Sequence, residues 1–217
     1  MAYRRKEWLM VMVVLASVLL TGWFYPQMPD KVASHWNAEG QVDGYMDRGP
    51  GTFMLPVMML FLAALFFIIP RIDPLRENIE KFRDAYEDMV LVILAFFFFI
   101  HLQMMLWNMG MEASMAATVP FGVGLLFIFL GHLMQKAKRN WFIGIRTPWT
   151  LSSDAVWDKT HRVGGRLFIA LGAIFMLSIF LGGLGFYAII IGMLGMVAYL
   201  FYYSYVEYEK ERKSRKV

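Results

Sequence analysis

Two carboxylates and an imidazole stand at helical spacing in the most polar stretch of this chain. Asp154, Asp158 and His161 are four and three residues apart, so they share one face of any helix that carries them. Such a trio can ligate a metal or take up a proton near neutral pH. No fourth ligand stands at a fitting distance, so a structural latch between loop and helix is the stronger reading, and no cofactor is expected. The trio closes a segment that opens at Asn140-Trp141 and continues through Gly144-Ile145-Arg146-Thr147-Pro148-Trp149 to Trp157, Thr160, His161 and Gly165. Pro148 holds Thr147 extended. Ser152 or Ser153 is placed to cap a helix with Asp154 in its first turn, and Asp158–Arg162 has the spacing of an i,i+4 ion pair. Asn140, Arg146, Thr147, Pro148, Trp149, Trp157 and His161 are therefore the candidate binding or conformational residues here.

A second polar string lies near the N-terminus. Pro26, Pro29, Gly40, Gly44 and Gly49-Pro50-Gly51 punctuate it, and it carries His35-Trp36-Asn37 and Asp43. His35, Asp43 and Asp30 match no standard ligand spacing, so a metal is again the weaker reading. His35, Trp36 and Asp43 are candidate binding residues. Two more imidazoles, His101 and His132, fall inside apolar runs. Their depths differ by ~14 Å at the helical rise of 1.5 Å per residue, too far to share a haem iron, so each is expected to hydrogen-bond a neighbouring helix. The chain has no cysteine, which removes thiol nucleophiles, thiolate metal sites and disulfides. It has no His-Glu-x-x-His, no Gly-x-Ser-x-Gly and no P-loop, and an enzyme is not expected.

The elements that must position these residues are membrane spans. At 59% hydrophobic residues the chain is too apolar for a soluble domain of 217 residues. Apolar runs at Trp8–Tyr25, Phe53–Pro70, Met89–Trp107, Val119–Met134, Leu167–Leu184 and Phe186–Tyr203 each come close to the ~20 residues that cross a bilayer as helix. The expected fold is an all-α integral membrane protein, a six-helix transmembrane bundle. Nineteen of the 21 Lys and Arg residues fall on one side of it: at Arg4, Arg5 and Lys6, in 71–88, in 135–166, and in the tail at Lys210, Arg212, Lys213, Arg215 and Lys216. The positive-inside rule then puts both termini in the cytoplasm of a multi-pass cell-membrane protein, with connector 26–52 outside.

Three further expectations follow from patterning. Asp73-Pro74 reads as a helix start, and Leu75, Ile79, Phe82, Tyr86 and Met89 form a stripe that makes the third span begin as an amphipathic extension, with Arg76–Glu80 and Glu77–Lys81 pairs opposite. Gly165, Gly172, Ala188, Gly192 and Gly195 predict a tight pair between the last two spans, joined by a turn at Gly182–Gly185. Tyr202, Tyr203, Tyr205 and Tyr208, followed by the basic tail, read as an interfacial anchor touching membrane lipids.

The outer string Pro26…Pro29…His35-Trp36-Asn37…Gly40…Asp43 resembles the N-terminal domain of unknown function found in the SdpI family. The string Asn140-Trp141…Gly144-Ile145-Arg146-Thr147-Pro148-Trp149-Thr150-Leu151…Ser153…Trp157…Thr160-His161…Gly165 resembles that family's core motif. Together they extend the resemblance over about 26 to 203. It implies residues 1–70 as an N-terminal helix pair with an extracellular connector, and 71–217 as a four-helix core with the cytoplasmic motif at 136–166 and the basic tail. It also implies a function in immunity and signal transduction: resistance to a secreted, membrane-active peptide toxin and sequestration of a cytoplasmic repressor, with no direct contact to nucleic acid. A small-solute or ion transporter or channel is the alternative that six helices permit. Against it, the spans hold almost no ionisable groups beyond His101 and His132.

Overall fold

The computed structural model describes residues 2–111 and 113–215; the Arg4 side chain and Lys216 lie outside the described residues. The elements in order are α1 (Ala2–Phe24), a 3-10 turn at Tyr25–Gln27, β1 (Lys31–Trp36), β2 (Val42–Asp47), α2 (Arg48–Ile72), α3 (Arg76–Glu80), α4 (Arg83–Asn108), α5 (Met115–Met134), α6 (Pro148–Ser152), α7 (Asp154–Ser178) and α8 (Gly183–Ser214). Six of them, α1, α2, α4, α5, α7 and α8, are long and apolar enough to cross a membrane. Their outer surfaces carry large exposed apolar residues such as Trp23, Phe61, Phe180 and Leu194, as lipid-facing helices do. Six crossings bring segments 71–88 and 135–166 and both chain ends to one face, here termed the basic face. The β1–β2 hairpin and the α4–α5 turn occupy the other.

Helix α4 packs on α1 and α2 and also meets α5, while α5 packs on α7 and α7 on α8. A core of Met59, Ile79, Tyr86, Val90, Leu94 and Ala137 runs between the first group and the loop that precedes α6. The closest helix contact is α5 with α7. A Cβ at Gly172 would lie 2.6 Å from the Gly124 carbonyl oxygen, and one at Gly124 would lie 2.7 Å from that of Gly172. Gly131 and Gly165 oppose each other one heptad further along. Glycine is required there because the backbones themselves touch. The last two spans do pack on each other, with Gly185 of α8 against Ser178 and Gly192 against Leu171, but the expected glycine roles change: Gly165 and Gly172 face α5, and Gly195 has open space around it.

Three other expectations change. The outer connector, a Pro- and Gly-punctuated string in an expected all-α fold, contains a β-hairpin. Lys31 pairs with Asp47, Val32 with Met46 and Ala33 with Tyr45, and the register then slips so that His35 faces Gly44. Gly40, at φ 79°, makes the turn, with Asn37 Oδ1 accepting from the Glu39 and Gln41 amides. The α7–α8 turn lies at residues 179–182, where Gly182 takes φ 53°, and Gly183 and Gly185 already belong to α8. The amphipathic extension is also not continuous with its span: α3 ends at Glu80, and residues 81–82 form a turn before α4. That break lets Ile79 and Phe82 both enter the core while the chain changes direction. Neither Arg76–Glu80 nor Glu77–Lys81 is among the ion pairs of the described residues. Arg83 instead gathers Glu7, Glu80 and Glu87.

Candidate functional site

The motif folds as a loop clamped onto the start of α7, with most of its buried polar groups paired; the Thr160 hydroxyl has no partner among the described residues. Asn140 is fully buried. Its amide nitrogen donates to the Lys138 and Ile143 carbonyls, and its oxygen accepts from the Phe142 and Ile143 amides at 3.0 and 2.6 Å. One side chain thereby substitutes for a turn's own hydrogen bonds. The next residues pass over Gly144 at φ 114°, a conformation open in practice only to glycine. Ile145 then donates its N–H to His161 Nε2 at 3.0 Å, while His161 Nδ1 lies 2.9 Å from the Trp157 carbonyl oxygen. A backbone N–H can only donate, so Nε2 is the bare nitrogen and Nδ1 carries the proton. His161 is the neutral Nδ1–H tautomer, and it stacks on the Trp157 ring at 3.9 Å. Trp157 is itself fully buried and donates Nε1–H to the Ala137 carbonyl. Buried polar groups paired in this way specify one loop conformation, because any other leaves a donor or acceptor dry.

Thr147 and Thr150 close the far end of the loop. Thr147 caps α6 in a reciprocal box with Thr150 and donates to Ser204 Oγ on α8 at 3.0 Å, and Thr150 Oγ1 donates to the Ile145 carbonyl. Ser153 caps α7 and donates to Glu211 of α8 at 2.5 Å. Trp149 packs edge-on against Phe201 and beside Tyr205. Pro148 opens α6 at its first position, where the missing N–H has no cost. Arg146 is exposed, its one hydrogen bond in the described structure running to the Trp141 carbonyl at 2.7 Å. Among the predicted motif residues it is the charged group turned to solvent.

The carboxylate face divides. Asp154 pairs with Arg139 at 2.6 Å and Asp158 with Lys138 at 3.2 Å, both on the exposed rim, whereas His161 is committed to the loop. The expected Asp158–Arg162 pair is not among those formed by the described residues, because Lys138 takes that carboxylate. No group of three or more potential ligands able to hold a metal occurs among the described residues. On the hairpin face, His35 Nδ1 meets Asp43 at 2.5 Å at an exposed position, Asp30 pairs with Arg48, and Trp36 packs edge-on against Trp107. The hairpin is fastened by Asn108 at the end of α4, which accepts from the Ala33 N–H at 2.8 Å and donates to the Ala33 carbonyl at 3.1 Å, as a third strand would. The two intramembrane histidines part company. His101 lies between Ser17 at 2.8 Å and Thr21 at 3.3 Å, an interhelical bond as expected. His132 is exposed and bonds only its own helix at Ile128, because its face of α5 points away from the bundle.

Several site residues escape sequence reasoning. Asp73, almost fully buried, accepts from the Leu75 and Trp141 amides, and Asn78 donates to the Arg139 carbonyl. The loop is thereby tied to the α2–α3 corner and not only to α7. Ser204, Glu207 and Glu211 sit on the tail helix read as an anchor, and Glu207 collects Lys159 at 2.7 Å and Lys210 at 2.6 Å. A signal existed: Leu200, Ser204, Glu207 and Glu211 recur at steps of four, three and four, one face of a helix.

The fold and this site define a multi-pass membrane protein whose distinguishing part is a locked, non-spanning loop against its last two helices. Residues 136–203 match the SdpI/YfhL protein family, and residues 12–60, spanning α1, the hairpin and the start of α2, match the domain of unknown function DUF1648. Over 180 residues the chain is 28% identical to the Immunity protein SdpI of Bacillus subtilis (strain 168), covering 82% of this chain and 84% of that protein. The chain is thus similar to members of the SdpI family, over the family's own segment and over most of one member's length. No solved structure matches it.

Proposed function

We propose that this protein is a membrane immunity protein that confers resistance to a membrane-active peptide toxin and, through its basic face, holds a cytoplasmic regulator. The observation that carries the reading is the similarity to the Immunity protein SdpI over four-fifths of both chains. The orientation it needs places the basic face, with both termini, in the cytoplasm. Nineteen of 21 Lys and Arg residues support that placement. The hairpin, with His35, Trp36 and Asp43, then meets the peptide outside. Inside, Asn140, Thr147, Pro148, Trp149, Trp157 and His161 hold the loop in shape, and Arg146 on its surface meets the partner. The mechanism involves binding and conformation, with no chemical step.

The test is expression of the full chain in cells sensitive to a secreted membrane-active peptide, beside an Arg146→Ala variant. Arg146 is exposed with one hydrogen bond, so the variant should insert and accumulate normally. Protection by the natural chain and its loss in the variant support the reading. If the natural chain gives no protection and pulls down no cytoplasmic protein, the reading is wrong. If the variant protects as well as the natural chain, the loop serves only to brace the bundle.

A further inference from the structure

A cavity of about 510 Å³ lies between α1, α2 and α4. This is within the range of roughly 300–1,000 Å³ typical of small-ligand sites. Its walls are apolar, with Val14 and Val18 from α1 and Ala63 and Phe67 from α2, and one end, at the basic face, is closed by Glu7, Arg83 and Glu87. The polar end is a built cluster. Arg83 donates to Glu87 at 2.7 Å, to Glu80 at 3.2 Å and to Glu7 at 3.3 Å. One turn away, Lys6 serves both Asp84 and Asp88. Five carboxylates therefore share two bases, on a face that is otherwise strongly basic. One carboxylate is left incomplete: the Glu87 side chain is 2% exposed, yet among the described residues its Oε2 has no hydrogen-bond partner. A buried carboxylate oxygen without a donor is costly, and a ligand bearing N–H groups and positive charge removes that cost.

We infer that this groove binds a phospholipid with a primary-amine head group from the leaflet at the basic face, its ammonium on Glu87 and Glu7 and one acyl chain along α1 and α2. Length supports a lipid over a side chain of a peptide. From Glu7 to Val18 the groove follows α1 for ~16 Å at 1.5 Å per residue, close to half of the ~30 Å hydrocarbon core. Val18 and Leu60, at the far end, are exposed, so that end opens sideways to the bilayer from which a lipid enters. Three N–H donors distinguish a primary amine from choline, and charge distinguishes it from a glycerol head group. The inference does not depend on the immunity reading, and its experiment makes no use of toxin protection.

The experiment exposes the purified full chain in detergent to an equimolar mixture of phosphatidylethanolamine, phosphatidylcholine and phosphatidylglycerol, and counts retained lipid by native mass spectrometry. Phosphatidylethanolamine should be retained over either competitor by about tenfold, the worth of one charge-assisted hydrogen bond. Glu87→Gln keeps an oxygen for Arg83 but turns an N–H toward the groove, so it should abolish the preference. Val18→Trp, at the exposed mouth, should lower retention of all three lipids and gives a second reading if the Gln variant fails to fold. Equal retention of the three lipids, a preference for phosphatidylglycerol, an unchanged preference in Glu87→Gln, or a cationic peptide bound where no lipid is retained would each overturn the inference.

Discussion

Gly144→Ala is the sharpest probe of the locked loop. The residue sits at φ 114°, and an added Cβ would overlap His161 Nε2 and lie 3.2 Å from the Trp157 ring. Two costs combine. Forcing an L-residue into that conformation costs about 1–3 kcal/mol. Displacing His161 leaves the Ile145 N–H without its acceptor, a further loss of about 1–3 kcal/mol. The neighbours cannot give way, because Trp157 is fixed through Nε1 to Ala137 and His161 through Nδ1 to Trp157. The two costs sum to about 2–6 kcal/mol, and ~3 kcal/mol, in the lower half of that range, already raises the open population of the loop roughly a hundredfold. Trypsin cleavage at the exposed Arg146 reports that population when reclosing is fast, so the variant in detergent should be cut about a hundred times faster, with global helix content unchanged. The reasoning has an internal check in Gly144→Ala combined with His161→Ala. Removing the imidazole makes room for the methyl group, so the double variant should lose about 1 kcal/mol or more less than the two single losses added together. Strictly additive losses, or a cleavage rate within threefold of the natural chain for Gly144→Ala alone, would show that this contact does not hold the loop.

Other variants test the remaining joints. Gly172→Leu should destabilise the bundle by at least about 1–3 kcal/mol, because its side chain would meet the Gly124 carbonyl and the Ile128 backbone, neither of which can move aside, whereas Gly195→Leu, in open space, should be neutral in the same detergent unfolding series. Asn108→Ala removes both partners of the Ala33 backbone and should speed amide exchange in β1 while sparing α1 and α4, with a loss of about 1–3 kcal/mol per unpaired group. Glu207→Gln should cost less than about 1 kcal/mol, and less still at high salt, since both lysines that reach this carboxylate are more than half exposed. A large, salt-independent loss would mean that Glu207 acts as a buried charge shielded from salt rather than as a rim pair.

The six spans were legible because lipid restricts the answer: a run of about twenty apolar residues has little else to become. The hairpin was not, for a reason that lies in its residues. Each strand has only six, a bulge at His35 breaks the alternation, and the group that completes it, Asn108, is 75 positions away in sequence. The motif loop was legible as a site and illegible as a mechanism. His161 is conspicuous in sequence, but its partner is the backbone N–H of Ile145, which every residue except proline possesses. The carboxylates beside it drew attention to a shared face, and Lys138 and Arg139, close by in sequence, took them away. Glu207 and Glu211 were hidden by composition, since a tail rich in Lys and Arg reads as an anchor until its acids are counted by period.

The helix pairing shows what kind of information was missing. Gly165 and Gly172 mark a surface where another backbone can approach, but a small face seen on one helix does not name its partner. The nearest helix in sequence, α8, shares a short turn with α7 and carries its own small residues, so proximity favoured it. The contact uses a repeat in common. Gly124 and Gly131 on α5 are seven residues apart, as Gly165 and Gly172 are on α7, and two antiparallel helices with equal repeats can touch at both places at once. On α8, Gly185 and Gly192 are seven apart as well, but they meet Ser178 and Leu171, which lie about 100° around α7 from Gly165 and Gly172. Equal spacing therefore permits either partner, and what separates them is the face of α7 that each one covers: α5 takes the glycine face, where backbone meets backbone, and α8 the face of Leu171 and Ser178 beside it.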